Sequence, residues 1–545
     1  MRIAIEGCSH GELDKIYEQL LEQQRKDNHQ IDLLLICGDF QANRNERDLE
    51  CMAVPPKYRD LRDYYKYYTG EKKAPILTIV IGGNHEASNH FWELYHGGWL
   101  APKIYFLGHA GCVQVNGLRI AGSSGIFYPS DFQQGHWERV PYQHGAMRSI
   151  YHTREFNVRR LSLLSSPDVF LSHDWPQNIV QYGNVSALLH RKPFFKEDIR
   201  TGKLGSPPMM GLLQNLKPRY WYSAHLHCRF EAEVVHDEPA QPEAGPSTKP
   251  ESSGAQGRVL NPDEIAIEDE DLEQPTSICP SRPNASNPDE IVIEDEEIAQ
   301  SSTTVAEQEP PAPNSEEIEV EQALVVDTVD DLPAPNPSGA TAFVQETPDV
   351  AHSSRNPDEI MLDDEEEAVE APPPPPKPKK VTSFLGLGKC VNHSNPKQYL
   401  EVTNVKLPHK KLHDGPPVLT FDPEWLAITR AFHPYMSLER HQLPYPDEAT
   451  ARAAVQRELE WVKKHVLGDK GSIRVGDVQK FEMTAPPPAR RGRVTEPLRH
   501  WPNPQTAAFC AMLEIENKID PKPDVAHAPG APNVPSSLPQ TTPSS

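Results

Sequence analysis

Five polar clusters in the first 230 residues each follow a run of apolar, β-forming residues: Cys8 and His10 after RIAIE, Asp39 after DLLLICG, Asn84 and His85 after ILTIVIGG, His173 after DVFLS, and His225 and His227 after YWYSA. Apolar strands that repeatedly end in Asp, Asn or His set oxygen and nitrogen donors along one edge of a sheet, where open α/β folds carry their chemistry. Taken singly, each cluster has a plainer reading, because a lone His beyond a strand is usually structural and an Asp in a Gly-Asp turn commonly caps a helix. Sharing one strand-end position, Asp39, Asn84, His85, His173, His225 and His227 together supply the donors that a pair of borderline divalent ions takes. An Asp can bridge two ions. A pair ~3.5–4 Å apart can activate water and clamp the oxygens of a phosphoryl group.

The elements that must position these residues follow from periodicity. Leu13, Ile16, Tyr17, Leu20 and Leu21 recur at helical spacing and predict a helix packed by one face. The nearly all-apolar run 31–36 predicts a central strand covered on both sides. A helix is expected near 57–69 and a strand at 76–81, followed by short strands at 104–106, 112–115 and 118–122. Asn116-Gly117 between the last two is a hairpin signal. Strands at 168–172, 219–223 and 229–235 complete a mixed sheet pair with outer helices over residues 1–236. Order returns at Val381, where TSFLGLGKC, QYLEVTNVKL and LTFDPEWLAITRAF read as strands leading into a helix and Ala451 to His465 as a further helix. The fold class expected is α/β: a two-sheet β-sandwich flanked by helices, with a smaller C-terminal α+β accessory domain at 381–520 and a disordered tail at 521–545.

Charge divides the chain. The 545 residues carry a formal net charge of -24, yet residues 237–379 hold 36 Asp/Glu against 6 Lys/Arg, which leaves +6 for the remainder. The folded part is therefore able to approach a polyanion, and the acidic tract alone is not. That tract, taken as an insert over 237–380, is rich in Pro, Ser and Glu, and disorder is expected because it has little apolar area to offset chain ordering. A unit NPDEI recurs in it at Asn261, Asn287 and Asn356, with a weaker echo at Asn314. The irregular spacing excludes a solenoid. It leaves a docking motif for a protein partner, a phosphorylation-prone linker or solubilising filler. The 8 cysteines include no close CxxC pair, which suits a reducing compartment. An acidic residue by position 6 and a short apolar run argue against a signal peptide, and no stretch reaches the ~20 apolar residues of a membrane span. A soluble intracellular protein, and a monomer, is expected.

The ordered set Gly-Asp39, Gly-Asn84-His85-Glu86, Ser-His173 and Ala-His225-Leu-His227 resembles the signature of the calcineurin-like metallophosphoesterases. Within them, GCSHGELDKIY, CGDFQANRN, CMAVPPKY, IGGNHEASNH, SGIF, SHDWP and SAHLH are similar to the intron lariat RNA debranching family, and the similarity resumes over 381–515 at NPQTAAFCAMLEI. The resemblance implies a metallophosphoesterase-like catalytic domain at 1–236. One ion would be held by His10, Asp39 and His227 with Cys8 beside it, the other by Asp39, Asn84, His173 and His225. His85 would lie outside the metal shell near the leaving oxygen. Cys8 stands where the wider family has Asp, which favours a softer ion; Fe²⁺ and Zn²⁺ are expected, with Mn²⁺ able to substitute. Glu86 and Ala224 also depart from the wider pattern without removing a ligand. The implied reaction is hydrolysis of the 2′-5′ phosphodiester at the branch point of an excised intron lariat, which places the protein in the nucleus; Lys377, Lys379 and Lys380 form only a thin basic cluster.

RNA recognition must come from outside the ligand set. Residues 127–159 interleave rings and cations, among them Tyr128, Trp137, Arg148, Tyr151 and Arg154, as a base-stacking surface would. Composition alone reads them as a loop and a helix with core aromatics, whereas the resemblance makes the segment a lariat recognition loop. Tyr64, Tyr65, Tyr67 and Tyr68 would line the same cleft in part, since one helix cannot point all four the same way. Two other classes stand beside this reading: a scaffold that recruits partners through its acidic repeats, and a general phosphoesterase acting on proteins or nucleotides.

Overall fold

A computed structural model describes residues 1–236, 379–391, 395–408, 415–489 and 497–520, which belong to one compact unit. The NPDEI units and the tail from 521 lie outside the described residues. Strand β1 (Arg2–Glu6) leads into helix α1 (Leu13–Asp27), whose Leu13, Ile16, Tyr17 and Leu20 are buried while Leu21 is exposed. The helix stops at Asn28, which takes a left-handed φ of 50° and donates its N–H to Gln24 O. Strands β2 (Leu33–Ile36) and β3 (Leu77–Val80) follow, then β4 (Gly98–Ala101), β5 (Ile104–Phe106), β6 (Ala110–Val115), β7 (Leu118–Ser123), β8 (Val169–Ser172), β9 (Tyr220–Ser223) and β10 (Phe230–His236). Past the insert come β11 (Lys380–Gly386), β12 (Leu400–Asn404) and β13 (Leu419–Phe421).

Two mixed sheets result, a six-stranded one in the order β12-β1-β2-β3-β5-β4 and a seven-stranded one in the order β10-β11-β9-β8-β7-β6-β13. Strands β1, β2, β3 and β5 run parallel, as do β7, β8, β9 and β11. Both β2 and β8 are buried at all four positions, as interior parallel strands must be. Ala4, Leu34, Ile36, Val80 and Phe106 from the first sheet share one apolar cluster with α1 and with Tyr64, Tyr67 and Tyr68 of α2 (Tyr64–Tyr68).

Three expectations change. The helix near 57–69 shrinks to a single turn at Pro56–Tyr58 and the five residues of α2. Strand β4 was not foreseen, and it pairs antiparallel with β5 across an irregularity between Trp99 and Ala101. The region 381–520 is also not a separate sheet. β11 lies between β10 and β9, β12 covers the β1 edge, and β13 covers the β6 edge. β11 buries Thr382, Phe384 and Leu385 and hydrogen-bonds on both sides, so its residues need a position inside a sheet.

One consequence is testable. In the antiparallel ladder between β10 and β11, His236 pairs with Lys380, so the two residues that flank the acidic tract are cross-strand neighbours. Replacing residues 237–379 by a hairpin loop of about 2–5 residues should leave one cooperative unfolding transition with a midpoint within a few degrees of the intact chain. A lost or split transition would show that the tract builds part of the fold.

Candidate metal centre

Every cluster singled out in the sequence lies just beyond the C-terminal end of a parallel strand: Cys8 and His10 after β1, Asp39 after β2, Asn84 and His85 after β3, His173 after β8, and His225 and His227 after β9. Four of these residues hold left-handed backbones, with φ of 44° at His10, 48° at Asp39, 61° at His225 and 51° at His227. Non-glycine residues adopt that region at a cost of order 1–3 kcal/mol each, and such strain collects at functional sites. Glycines make the close approach possible. A Cβ at Gly83 would lie 2.2 Å from Asp39 Oδ1, and one at Gly38, whose φ is 112°, would lie 2.3 Å from His173 Nδ1.

Asp39 is fully buried at the centre. Its Oδ1 accepts the His85 N–H at 3.0 Å and lies 3.4 Å from His173 Nε2; its Oδ2 lies 3.7 Å from His10 Nε2 and has no hydrogen-bond partner. Burial alone would raise this carboxyl, but the nearby His173, His85 and His10 hold it well below the usual carboxylate range. One donor of Cys8, His10, Asp39 and His227 can be chosen so that all four lie within 4.8 Å of one another. His10 Nε2 and His227 Nε2 are 3.2 Å apart. On the other side of Asp39, His173 Nε2 is 3.1 Å from Asn84 Oδ1, and the rings of His173 and His225 are 5.1 Å apart between centroids.

These residues fit a divalent ion. A buried carboxylate oxygen without a partner, nitrogen donors converging on it, and a thiol in the same cluster form a mixed donor set that suits borderline metals. Burial lowers the basicity of His173, His227 and His225, the last to about 3, which favours the neutral ring, the ligating form. The Cys8 thiol is pushed up by burial and by the carboxylates of Asp39 and Glu6, while the His225 N–H, 3.1 Å from Sγ, works the other way.

Hydrogen bonds around the ligands hold their loops. His173 donates through Nδ1 to Cys37 O at 2.8 Å, which turns Nε2 toward Asp39. Trp175, in the SHDWP run, donates to Ala224 O at 2.7 Å and so fixes the backbone before His225. Glu86 accepts N–H groups from Phe40, Gln41 and Gly83 at 2.7–2.8 Å, joining the Asp39 and Asn84 loops. Burial, with Asp39 nearby, raises its carboxyl to about 8. His85 is half-buried, outside the four-residue cluster, with its ring centroid 5.6 Å from that of His10.

The segment 127–159 begins beside this centre. Gly125 donates to Gly82 O at 2.9 Å, and Phe127 N–H points at Asp174 Oδ2 at 3.3 Å. Arg148 is exposed, Tyr128 and Trp137 are half-buried, and Tyr128 packs on His152 at 4.9 Å. Tyr151 and Arg154 are instead buried. Arg154 is a strut: it pairs with buried Glu138 and donates to Ser149 O at 3.0 Å and Asp131 O at 2.9 Å, so it is not placed as a surface contact. Tyr64, Tyr67 and Tyr68 are likewise core residues, the first and last bound through their hydroxyls to Leu100 O and Ala485 O. Sequence reading missed the bracing of this segment by the C-terminal region. Gly135 and His136 donate to Arg440 O and Ser437 O, and the Arg440 guanidinium lies 3.9 Å above the Trp137 ring. It also missed Lys389, which pairs in a bridge with Cys8; a lone Lys in GLGKC carries no signal by itself.

Residues 1–229 match the calcineurin-like phosphoesterase family, and residues 379–518 match the lariat debranching enzyme C-terminal domain. Relatives include lariat debranching enzymes of Mus musculus, 56% identical over 250 residues, and of Homo sapiens, 55% identical over 250 residues; each alignment covers 46% of this chain and 46% of the relative. The lariat debranching enzyme of Arabidopsis thaliana is 52% identical over 237 residues, 43% of this chain and 57% of that protein. The aligned part thus spans about half the length of these relatives.

Proposed function

From its homology to the lariat debranching enzymes and its calcineurin-like phosphoesterase domain, we propose that this chain hydrolyses the 2′-5′ phosphodiester at the branch point of excised intron lariat RNA, giving linear RNA for turnover. The observation that carries the reading is a buried Asp39 flanked on each side by converging nitrogen donors, with the Cys8 thiol in the same cluster. His10, Asp39, His227 and Cys8 would hold one ion and Asp39, Asn84, His173 and His225 the other, with Fe²⁺ and Zn²⁺ the proposed pair and Mn²⁺ a substitute. Such ions, when bound, activate water and neutralise charge that develops on phosphoryl oxygens.

The chain's own groups do the rest. His85 stands beside Asp39 without joining the ligand cluster, a place from which an imidazolium can donate a proton to the departing 2′ oxygen. Glu86 keeps the loops of Asp39 and Asn84 in register, so the site is assembled before RNA arrives. Tyr128, Trp137 and Arg148 offer rings and a cation to the nucleotides flanking the branch. Recognition then rests on the shape of a nucleotide from which three strands depart. The reading carries with it a nuclear, monomeric protein, and a protein partner for the acidic repeats.

The test is a comparison of matched substrates. A 2′-5′ branched RNA should be cleaved at least about 10²-fold more efficiently than a linear RNA of the same sequence or a phosphopeptide, which corresponds to about 2.7 kcal/mol of transition-state discrimination. Trp137→Ala and Arg148→Ala should each lower kcat/KM for branched RNA by roughly 10-fold, the loss of one stacked base or one phosphate contact, and leave an aryl phosphodiester nearly unaffected. Equal efficiency on branched and linear RNA would leave only a general phosphoesterase.

A further inference from the structure

Lys389 reaches the centre from the other end of the chain. It follows β11 in the run Gly386-Leu-Gly-Lys-Cys390, which is wedged between the loops that carry Cys8 and the His225–His227 pair. Cys8 donates to Gly388 O at 3.0 Å, Cys390 donates to Cys8 O at 3.1 Å, and Cys8 and Lys389 form a parallel bridge. On the other side Leu387 donates to Ser223 O at 2.9 Å, and a Cβ at Gly388 would sit 3.5 Å from the His227 carbonyl carbon. Residues paired in a bridge start their side chains on the same side of the ladder. The Cys8 side chain belongs to the cluster with His10, Asp39 and His227, so the Lys389 stem leaves the backbone toward that cluster.

We propose that Lys389 is a phosphate-binding cation on the Cys8 and His227 side of the centre, receiving a non-bridging oxygen of the substrate phosphodiester or of the RNA strand leaving it. The inference takes its substrate class from the proposed function. Lys389 is only 8% exposed, so its stem is packed within this wedge beside the Cys8 loop rather than spread over the surface. A compact ammonium on a four-carbon stem suits one phosphate oxygen, where a planar guanidinium would seek two. The cation comes from the C-terminal region, which gives that region a direct part in the site beyond completing the sheets.

The experiment uses the full chain loaded with Mn²⁺ and two variants: Lys389→Met, which keeps the stem and loses the charge, and Lys389→Arg. Inorganic phosphate binding is measured by titration calorimetry, and kcat/KM for branched RNA is measured across a range of salt. The expected result is about 10-fold weaker phosphate binding in Lys389→Met and a salt slope lower by about one, with metal content and melting temperature retained and Lys389→Arg recovering most of both. Unchanged phosphate binding in Lys389→Met would overturn the proposal. So would a loss of activity accompanied by loss of metal or of thermal stability at an unchanged salt slope, since that marks a structural lysine. The calorimetric arm needs no RNA, so a wild-type chain that fails to prefer branched RNA removes the debranching reading while the phosphate result still decides the role of Lys389.

Discussion

Asp39→Ala is expected to empty both halves of the metal centre and to lower turnover of branched RNA by at least about 10³-fold, the scale of several kcal/mol that metal-assisted stabilisation supplies. Asp39 is the group on which both donor sets converge. It lies 3.7 Å from His10 Nε2 on one side and 3.4 Å from His173 Nε2 on the other. Removing its carboxylate takes the one anionic oxygen from a set otherwise made of neutral imidazoles, an amide and a thiol. The variant also loses the acceptor for the His85 N–H, so the following loop loses its tether.

Asp39→Asn separates these effects. An amide keeps the volume and can accept the His85 N–H, so folding and the position of His85 should survive, while bridging capacity falls. Metal analysis of both purified variants beside branched-RNA kinetics checks the account. If Asp39→Ala still carries two ions per chain and turns over near the wild-type rate, the two-ion reading is wrong.

The strand ends were legible because burial and chemistry leave different residue types in the same short run. An interior parallel strand is nearly all apolar, so the titratable or amide side chain that follows LLLI or VFLS marks the end of cover and the start of the site. Partners were not legible. Nothing in KVTSFLG says that it will lie between β9 and β10, because hydrogen bonding in a sheet is blind to distance along the chain, and its neighbours in the ladder come from before the acidic tract. Gly98-Trp-Leu-Ala carries no strand signal, because a four-residue strand that opens on glycine has no alternation to read.

Orientation was the other gap. Arg148 and Arg154 carry the same signal in a segment of mixed rings and cations, yet one is exposed and the other is buried against Glu138 and Ser149. Composition gives the inventory of a surface without saying which members face out. The left-handed backbones at His10, Asp39, His225 and His227 were equally hidden, since glycine is the residue that announces such a conformation and none stands at those positions. Only the fold reveals that the site is held under strain.

His85→Ala should separate proton donation from metal binding. His85 contributes its backbone N–H to Asp39, which alanine retains, and its ring stands outside the cluster of Cys8, His10, Asp39 and His227. Metal content and folding should therefore match the wild type while kcat on branched RNA falls about 10²–10⁴-fold, the usual contribution of a general acid. The size of the loss should depend on the leaving group. A ribose 2′ oxygen departs poorly unless protonated, whereas a nitrophenolate leaves without help, so hydrolysis of a nitrophenyl phosphodiester should fall far less than branched-RNA cleavage. That contrast identifies the role, because a ligand or a structural support would slow both substrates alike. Equal losses on the two substrates, or a drop in bound metal, would move His85 from proton donor to part of the scaffold around Asp39.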